Sequence, residues 1–457
     1  MMNNSPLVTV YVTNYNYSAY IRQSLESLFA QTMKDFEVII IDDGSTDDSK
    51  SIIEEYTDRA QIVFQKNRGL NVSNNIALKM ATGKYIMRLD ADDYLAPNAL
   101  EVMSSLLEAD PELGLVFPDY EMVDKDGNLM TIQKRHNFAK EVKVLDQPAH
   151  GACTMIRTAF LRQLGGYDER YRCQDGYELW IKFTAKYKVT NVNTPLFYYR
   201  QHGDNLTSNE ERILNTRMQI KSNFAKENLT DFNALAIVPV RGSNRKSLLI
   251  AQTEIGGKCL LQNRIDELIQ ADRTKKIVVT SSSSEIGELI NSKYADCEKV
   301  CFIQRPVELE RMNVSLYDTV EFVGKTESLH NYSCVLVPAI EFPFINADML
   351  NDAVNSLFIF KSDSLISVRP IENTIYQHDG SGMKPIVDPL KFARIERDEM
   401  YNFSGGIIVT STQSLDKYKA LICGKVSHVV ISQKAALGVK SKLDILIAKA
   451  VSNDNLK

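Results

Sequence analysis

The sequence predicts an α/β protein made of two Rossmann-like domains in series, and three observations carry that reading. Short apolar, β-branched runs alternate with segments of helical periodicity in the first half. A polar stretch then interrupts the alternation, and beyond it the same alternation starts again. The chain has 457 residues, 44% hydrophobic and 24% charged, so each half can bury a sizeable core. Such alternation implies parallel strands joined by right-handed helical crossovers, with functional loops at the carboxyl ends of the strands.

LVTVYVT (7–13) reads as a buried strand, and YIRQSLESLFAQ (20–31) has apolar residues at helical spacing. FEVIIID (36–42) and QIVFQ (61–65) are strands, separated by a helix over 49–57, and a helix over 72–80 precedes the strand KYIMRLDAD (84–92). Residues 205–233 are polar and helix-favouring, a terminal helix running into a linker. The first domain is therefore expected over 1–228 and the second over 234–457. In the second, LAIVPV (235–240), KIVVTS (276–281), VCFIQ (300–304), CVLVPA (334–339) and LISVRP (365–370) read as strands, with a helix over 259–271.

Several function classes are excluded. Lys and Arg number 53 against 58 Asp and Glu, a net charge of -5, whereas nucleic-acid binding needs concentrated positive charge. No apolar run reaches the ~18 residues of a membrane span, and the N-terminus lacks the basic flank and apolar stretch of a secretory signal. Seven cysteines, an odd number with no CxxC spacing, favour neither a disulfide framework nor a zinc ribbon. The expectation is a cytoplasmic protein, with peripheral membrane association and homo-oligomerisation left open.

Two carboxylate clusters end apolar strands. Asp42 and Asp43, in VIIIDDGSTDDS, fit a turn permitted by Gly44 and a helix capped by Ser45, Thr46 or Asp47. Asp90 and Asp92, in YIMRLDADDYLAP, crowd negative charge where it is costly without a cation. Mg²⁺ and Mn²⁺ prefer such oxygen ligands and bridge carboxylates to substrate phosphates.

The series TNYNYSAYIRQSLESLFAQT, DFEVIIIDDGSTDDS, KNRGLNVSNNIAL, GKYIMRLDADDYL, GGYDERY and QDGYELWIK resembles a family 2 glycosyltransferase with the GT-A fold. The resemblance covers roughly the first 205–225 residues and implies an inverting, metal-dependent transfer from a nucleoside diphosphate sugar, a UDP-sugar being favoured. The acceptor it implies is a glycan or a lipid-linked molecule in surface polysaccharide assembly. Thr13, Tyr15 and Asp43 would line the nucleotide pocket, with Asn67 and Arg68 closing around it. Asp90 would face the ribose, and Asp92 would ligate Mn²⁺ or Mg²⁺. Asp175, in CQDGYELWIK, matches the base that takes the acceptor proton; Gln174 stands where Glu is common, and Glu178 is the alternative base. Trp180 reads as core. His202, in YYRQHGDNLT, matches a histidine that approaches the diphosphate or metal; His150 lies near the acceptor side.

The second half resembles the cytidylyltransferases that make CMP-activated acidic sugars, with parts missing. Arg241, Arg245 and Lys246 follow a strand, where basic side chains cradle a triphosphate, and Lys258 joins Arg241 and Arg245 as a candidate anion ligand. Leu249 and Ile250 replace a second basic pair, and Gly438 and Lys440 stand where the family has metal-binding aspartates, though Asp444 remains. The expectation is a degenerate domain kept for binding or assembly. The alternatives are a bifunctional transferase and CMP-sugar synthetase, or a non-catalytic nucleotide-binding scaffold.

Overall fold

The computed structural model describes residues 5–202, 209–242, 245–311, 313–371, 375–386 and 400–453, with the backbone alone for 245–247. β1 (Val8–Asn14) is buried along its whole length, as a strand covered on both faces must be. β2 (Phe36–Asp42), β3 (Gln61–Phe64) and β4 (Tyr85–Asp90) run parallel with it in the order β3-β2-β1-β4. The helices Ile21–Phe29, Ser49–Glu54 and Leu70–Met80 connect them. The register sets Thr13 level with Ile41 on one side and Asp90 on the other, and Asn14 level with Asp42. The polar ends of three strands therefore finish at one height.

The rest of this sheet comprises β5 (Tyr94–Leu95), β6 (Leu113–Val123), β7 (Leu129–Gln133), β8 (Met155–Arg157) and β9 (Lys188–Arg200). β8 runs antiparallel between β4 and β6, while β6 and β9 are parallel. The expectation of parallel strands alone is thus corrected. The chain returns to β4 after a long excursion over 134–154 and enters from the opposite direction, which no helical crossover can do.

The second sheet contains β10 (Ala234–Pro239), β13 (Thr274–Ser281), β14 (Val300–Gln304), β15 (Cys334–Pro338), β16 (Ser364–Pro370), β19 (Tyr401–Ser411) and β20 (Val426–Val430). Two small hairpins stand apart: β11 (Glu254–Ile255) with β12 (Lys258–Cys259), and β17 (Tyr376–His378) with β18 (Met383–Pro385). The strand order is β14-β13-β10-β15-β19-β16-β20, with β19 antiparallel to both neighbours. Counting only the long-path strands of each sheet from its first, and leaving aside β5 and β7, both sheets read 3-2-1-4-6-5-7 with the sixth strand reversed. The two halves share one topology.

The chain divides into two units, Met1–Arg217 with Ile375–Asp398, and Met218–Thr374 with Glu399–Lys457. The expected boundary at 228–234 moves to Arg217, inside the helix Glu210–Asn228. The second half of that helix belongs to the second unit because Lys221 is buried there, with Nζ 2.7 Å from Asp352 Oδ2 and donating to Ser356 Oγ at 2.9 Å. The described residues 375–386 group with the first unit.

Candidate active site

The two aspartates that end β2 divide the roles read for them. Asp42 makes the turn: Oδ1 accepts the N–H groups of Gly44 and Ser45 at 3.2 and 2.9 Å, and Oδ2 accepts from Asn14 Nδ2 and Ser45 Oγ. Asp43 holds the loop after β3, its Oδ1 accepting from Gln65 Nε2 (2.7 Å) and the Arg68 N–H (2.8 Å), and its Oδ2 from the Gly69 N–H (2.8 Å). Gly44 permits this closeness, because it has φ +86° and a Cβ there would lie 2.7 Å from the Asn67 nitrogen. Asn67 and Arg68 are exposed on the loop so held, and Tyr15 is exposed just beyond β1.

At the end of β4, Thr13 donates to Asp90 Oδ1 at 3.2 Å. Arg88, two residues earlier, presents Nε to Asp90 Oδ1 at 2.9 Å and Nη1 to Asp175 Oδ2. Asp175 opens the helix Asp175–Lys186, and its charge at the first turn suits the helix dipole. One buried guanidinium therefore joins two carboxylates that are far apart in sequence, Asp90 at the end of β4 and Asp175 at the start of its helix. The loop before β8 closes over it. A Cβ on Gly151 would lie 2.8 Å from Arg88 Nη2 and 3.3 Å from Asp175 Oδ2, and Gly151 Cα packs against Gly176. Beneath lie Tyr11 and Tyr167, hydroxyls 3.4 Å apart. Of the five non-glycine residues with positive φ among the described residues, Cys153 and Gln174 border this region and Asn16 meets the Ser45–Thr46 turn after β2, and backbone strain of this kind gathers at functional sites.

Asp92 and Asp93 follow. Asp92 Oδ2 lies 3.0 Å from His202 Nε2, and the His202 ring stacks on Tyr20 and meets Tyr17 edge-on. Burial and the Asp90 charge push the Asp92 carboxyl up, with His202 opposing them. Asp93 is raised further by burial and by Asp92, and its Oδ2 has no hydrogen-bond partner among the described residues. Burial and the same three aspartates raise the Tyr17 hydroxyl. This is a local excess of negative charge. Arg200, 2% exposed, holds the segment from behind: its N–H donates to Asp93 Oδ1, Nε to the Asp92 carbonyl at 2.9 Å, and Nη2 to Gln23 Oε1. His150 is half-buried among Tyr120, Phe197 and Tyr199, and Nδ1 accepts the Ala152 N–H at 3.2 Å. Burial lowers its pKa to about 4, so the ring is neutral near pH 7.

Glu178 pairs with Lys182, one turn on, and burial raises its carboxyl. Trp180 packs edge-on against both Phe117 and Phe138, with Nε1 donating to the Leu145 carbonyl at 2.8 Å, a core residue as read. In the second domain, Arg241 is exposed after β10, and the side chains of Arg245 and Lys246 lie outside the described residues. Lys258 Nζ is 2.7 Å from Asp266 Oδ2, so its charge already has a partner. Asp444 accepts the Ser441 N–H at 2.7 Å and caps the helix Lys442–Asn453, which accounts for its presence.

Arg88 and Arg200 are functional neighbours that reading the sequence missed. Each is a lone arginine in or ending an apolar strand, where a buried charge needs a carboxylate or several carbonyls to be tolerated. That signal was available at YIMRLD and LFYYR, but not the identity of the partners.

The sequence profile described as Glycosyl transferase family 2 matches residues 9–165. An uncharacterized glycosyltransferase of Methanocaldococcus jannaschii is 33% identical over 208 residues, which are 43% of this chain and 71% of that protein. A hyaluronan synthase of Pasteurella multocida is 31% identical over 45% of this chain, and a chondroitin synthase of Escherichia coli 30% over 44%. The shared regions are only 21% and 30% of those two synthases. S. aureus TarS in complex with UDP-GlcNAc aligns with a TM-score of 0.42 and 20% identity, over 49% of this chain and 68% of that one. No helix among the described residues is long and apolar enough to cross a membrane. The first domain has an α/β architecture, and the protein is a glycosyltransferase that belongs to glycosyl transferase family 2.

Proposed function

We propose that the first domain is an inverting, metal-dependent transferase that moves a sugar from a UDP-sugar to a glycan or lipid-linked acceptor in surface polysaccharide assembly. The observation that carries this is the meeting of Asp90 and Asp175 on Arg88, with Asp92 and His202 paired two residues beyond Asp90. The names of the hyaluronan and chondroitin synthases support the acceptor class.

A divalent cation would meet one carboxylate and one imidazole already in contact, Asp92 Oδ2 and His202 Nε2 at 3.0 Å, while no group of three or more metal-ligating side chains is assembled among the described residues. Three aspartates within four residues are incompletely compensated, and Asp93 keeps an orphaned oxygen. Asp92 and His202 would hold the ion, a carboxylate and imidazole pair that suits Mn²⁺ better than Mg²⁺. Bound there, the cation would offset charge on the departing diphosphate. Thr13, Tyr15, Asn67 and Arg68 surround the nucleotide, with Asp43 acting mainly by holding the 65–69 loop. Asp175 takes the proton of the acceptor hydroxyl as its oxygen bonds to the anomeric carbon. The bond from that carbon to UDP breaks on the opposite face, and the configuration inverts.

The test is release of UDP, GDP or dTDP from their sugars, UDP-GlcNAc included, with Mn²⁺ or Mg²⁺ and a glycan acceptor. We expect metal-dependent release from a UDP-sugar, abolished in Asp92→Ala and Asp175→Asn. No release and no binding of nucleotide would move the scaffold reading to first place. The shared 3-2-1-4-6-5-7 order favours a second reading, that the C-terminal domain is a nucleotidyltransferase-like module kept for binding. Pyrophosphate released from CTP in the presence of an acidic sugar would replace that with a bifunctional enzyme.

A further inference from the structure

We propose that Arg88 is a positioning residue for the transfer: it ties the Asp175 carboxylate to Asp90, and Gly151 is glycine to leave room for that tie. The inference rests on reading Asp175 as the base. Arg88 and Asp175 are nearly closed from water, their side chains 6% and 12% exposed. The guanidinium is a rigid fork. Its Nε lies 2.9 Å from Asp90 Oδ1 as an ion pair without hydrogen-bond geometry, Nη2 donates to Asp90 Oδ2 at 3.4 Å, and Nη1 donates to Asp175 Oδ2.

Three features separate this from an ordinary buried ion pair. First, the fork takes one oxygen of Asp175 only; among the described residues Oδ1 has no hydrogen-bond partner, which leaves it for the acceptor hydroxyl. Second, one guanidinium contacts both carboxylates, so the group that places Asp175 is the group that places Asp90. Third, Asp90 is fixed in turn by Thr13 at the end of β1, so the base is referenced to the strand ends on which the donor is read. A shift of about 1 Å between such groups costs about 100-fold in rate.

Gly151 provides the second observation. Its φ is not positive, so alanine is compatible with the backbone, yet a Cβ there would press on Arg88 Nη2 at 2.8 Å and Asp175 Oδ2 at 3.3 Å. Gly151→Ala therefore disturbs the tie without altering any charge.

The experiment measures kcat and donor KM for UDP release from the UDP-sugar the enzyme accepts, with Mn²⁺-dependent UDP binding by calorimetry and thermal unfolding alongside. Arg88→Gln should lower kcat about 100-fold with donor KM changed less than about fivefold. Arg88→Lys should recover about tenfold of that loss. Gly151→Ala should lower kcat about tenfold with UDP binding and melting temperature retained. Adding Arg88→Gln to Asp175→Asn should cost little more, as expected of residues acting as a unit. Unchanged kcat in Gly151→Ala and Arg88→Gln, with Asp175→Asn inactive, would overturn the positioning role and leave the base standing. An active Asp175→Asn would instead remove the base reading itself. If Arg88→Gln does not fold, Gly151→Ala and Arg88→Lys decide.

Discussion

Replacing Arg200 with methionine should destabilise the first domain by about 3 kcal/mol and loosen the Asp92–Asp93 segment. The methionine keeps most of the apolar stem, so the loss falls on the guanidinium alone. That group donates to the carbonyls of Asp92 (2.9 Å), Lys125 (3.0 Å) and Asp124 (3.3 Å), and to Gln23 Oε1 (2.7 Å). The Lys125 and Gln23 ends are exposed and can be rehydrated, whereas the carbonyl of Asp92, 7% exposed, is stranded. A hydrogen bond to a charged group contributes ~1.5–3 kcal/mol, so one lost outright and three partly replaced by water give about 3 kcal/mol. In a domain of this size that lowers the melting temperature by about 6–12 °C. Urea unfolding followed by circular dichroism reads the first figure and calorimetry the second. A loss under about 1 kcal/mol, or a gain as when apolar residues replace some buried ion pairs, would refute the account of Arg200 as the brace of this segment.

Other perturbations separate the remaining contributions. His202→Ala should raise the Mn²⁺ concentration needed for half-maximal UDP release about 10- to 100-fold, while Asp92→Ala abolishes metal-dependent release; equal effects would argue that the histidine is itself indispensable. His150 has a folded pKa of about 4, below its unfolded value. The unfolded chain therefore binds the proton first, and the stability His150 contributes is complete above pH ~6.5 and lost as pH falls toward 4, about 3 kcal/mol in all. Stability measured at pH 4.5 and 7 should show this slope in the wild type and much less of it in His150→Asn. In the second unit, Lys221→Met strands Asp352, whose carboxyl burial already raises, and should cost about 3–5 kcal/mol, whereas Lys221→Met with Asp352→Leu should be near neutral.

How much of this was legible in sequence depended on how local the cause was. β1, β2 and β4 were readable because strands buried on both faces must be apolar throughout. β6 and β9 were not, since each carries a proline, and the first eight residues of β9 are half-buried or exposed, which dilutes strand propensity. β8 is three residues long and has no pattern to read. Missing it hid the reversed strand, and with it the match in topology between the two halves. The turn made by Asp42 and Gly44 followed from short-range chemistry, but the helix after it did not: it spans Ser49–Glu54 rather than 49–57 and starts after Asp48 with no side-chain cap, not after Ser45, Thr46 or Asp47.

The sequence by itself determined that two α/β halves follow one another, that acidic residues end the first-domain strands, and which family those motifs resemble. These are properties of neighbours along the chain, fixed by hydrophobic period and by turn chemistry. Only the tertiary structure decided which carboxylates share a cation. Arg88 meets Asp175 from 87 residues away, and Arg200 reaches the Asp92 carbonyl across 108. A buried charge has to find its partner somewhere, but the chain alone does not say where, because the pairing is made by the fold that brings β4, β9 and the helix from Asp175 to one place.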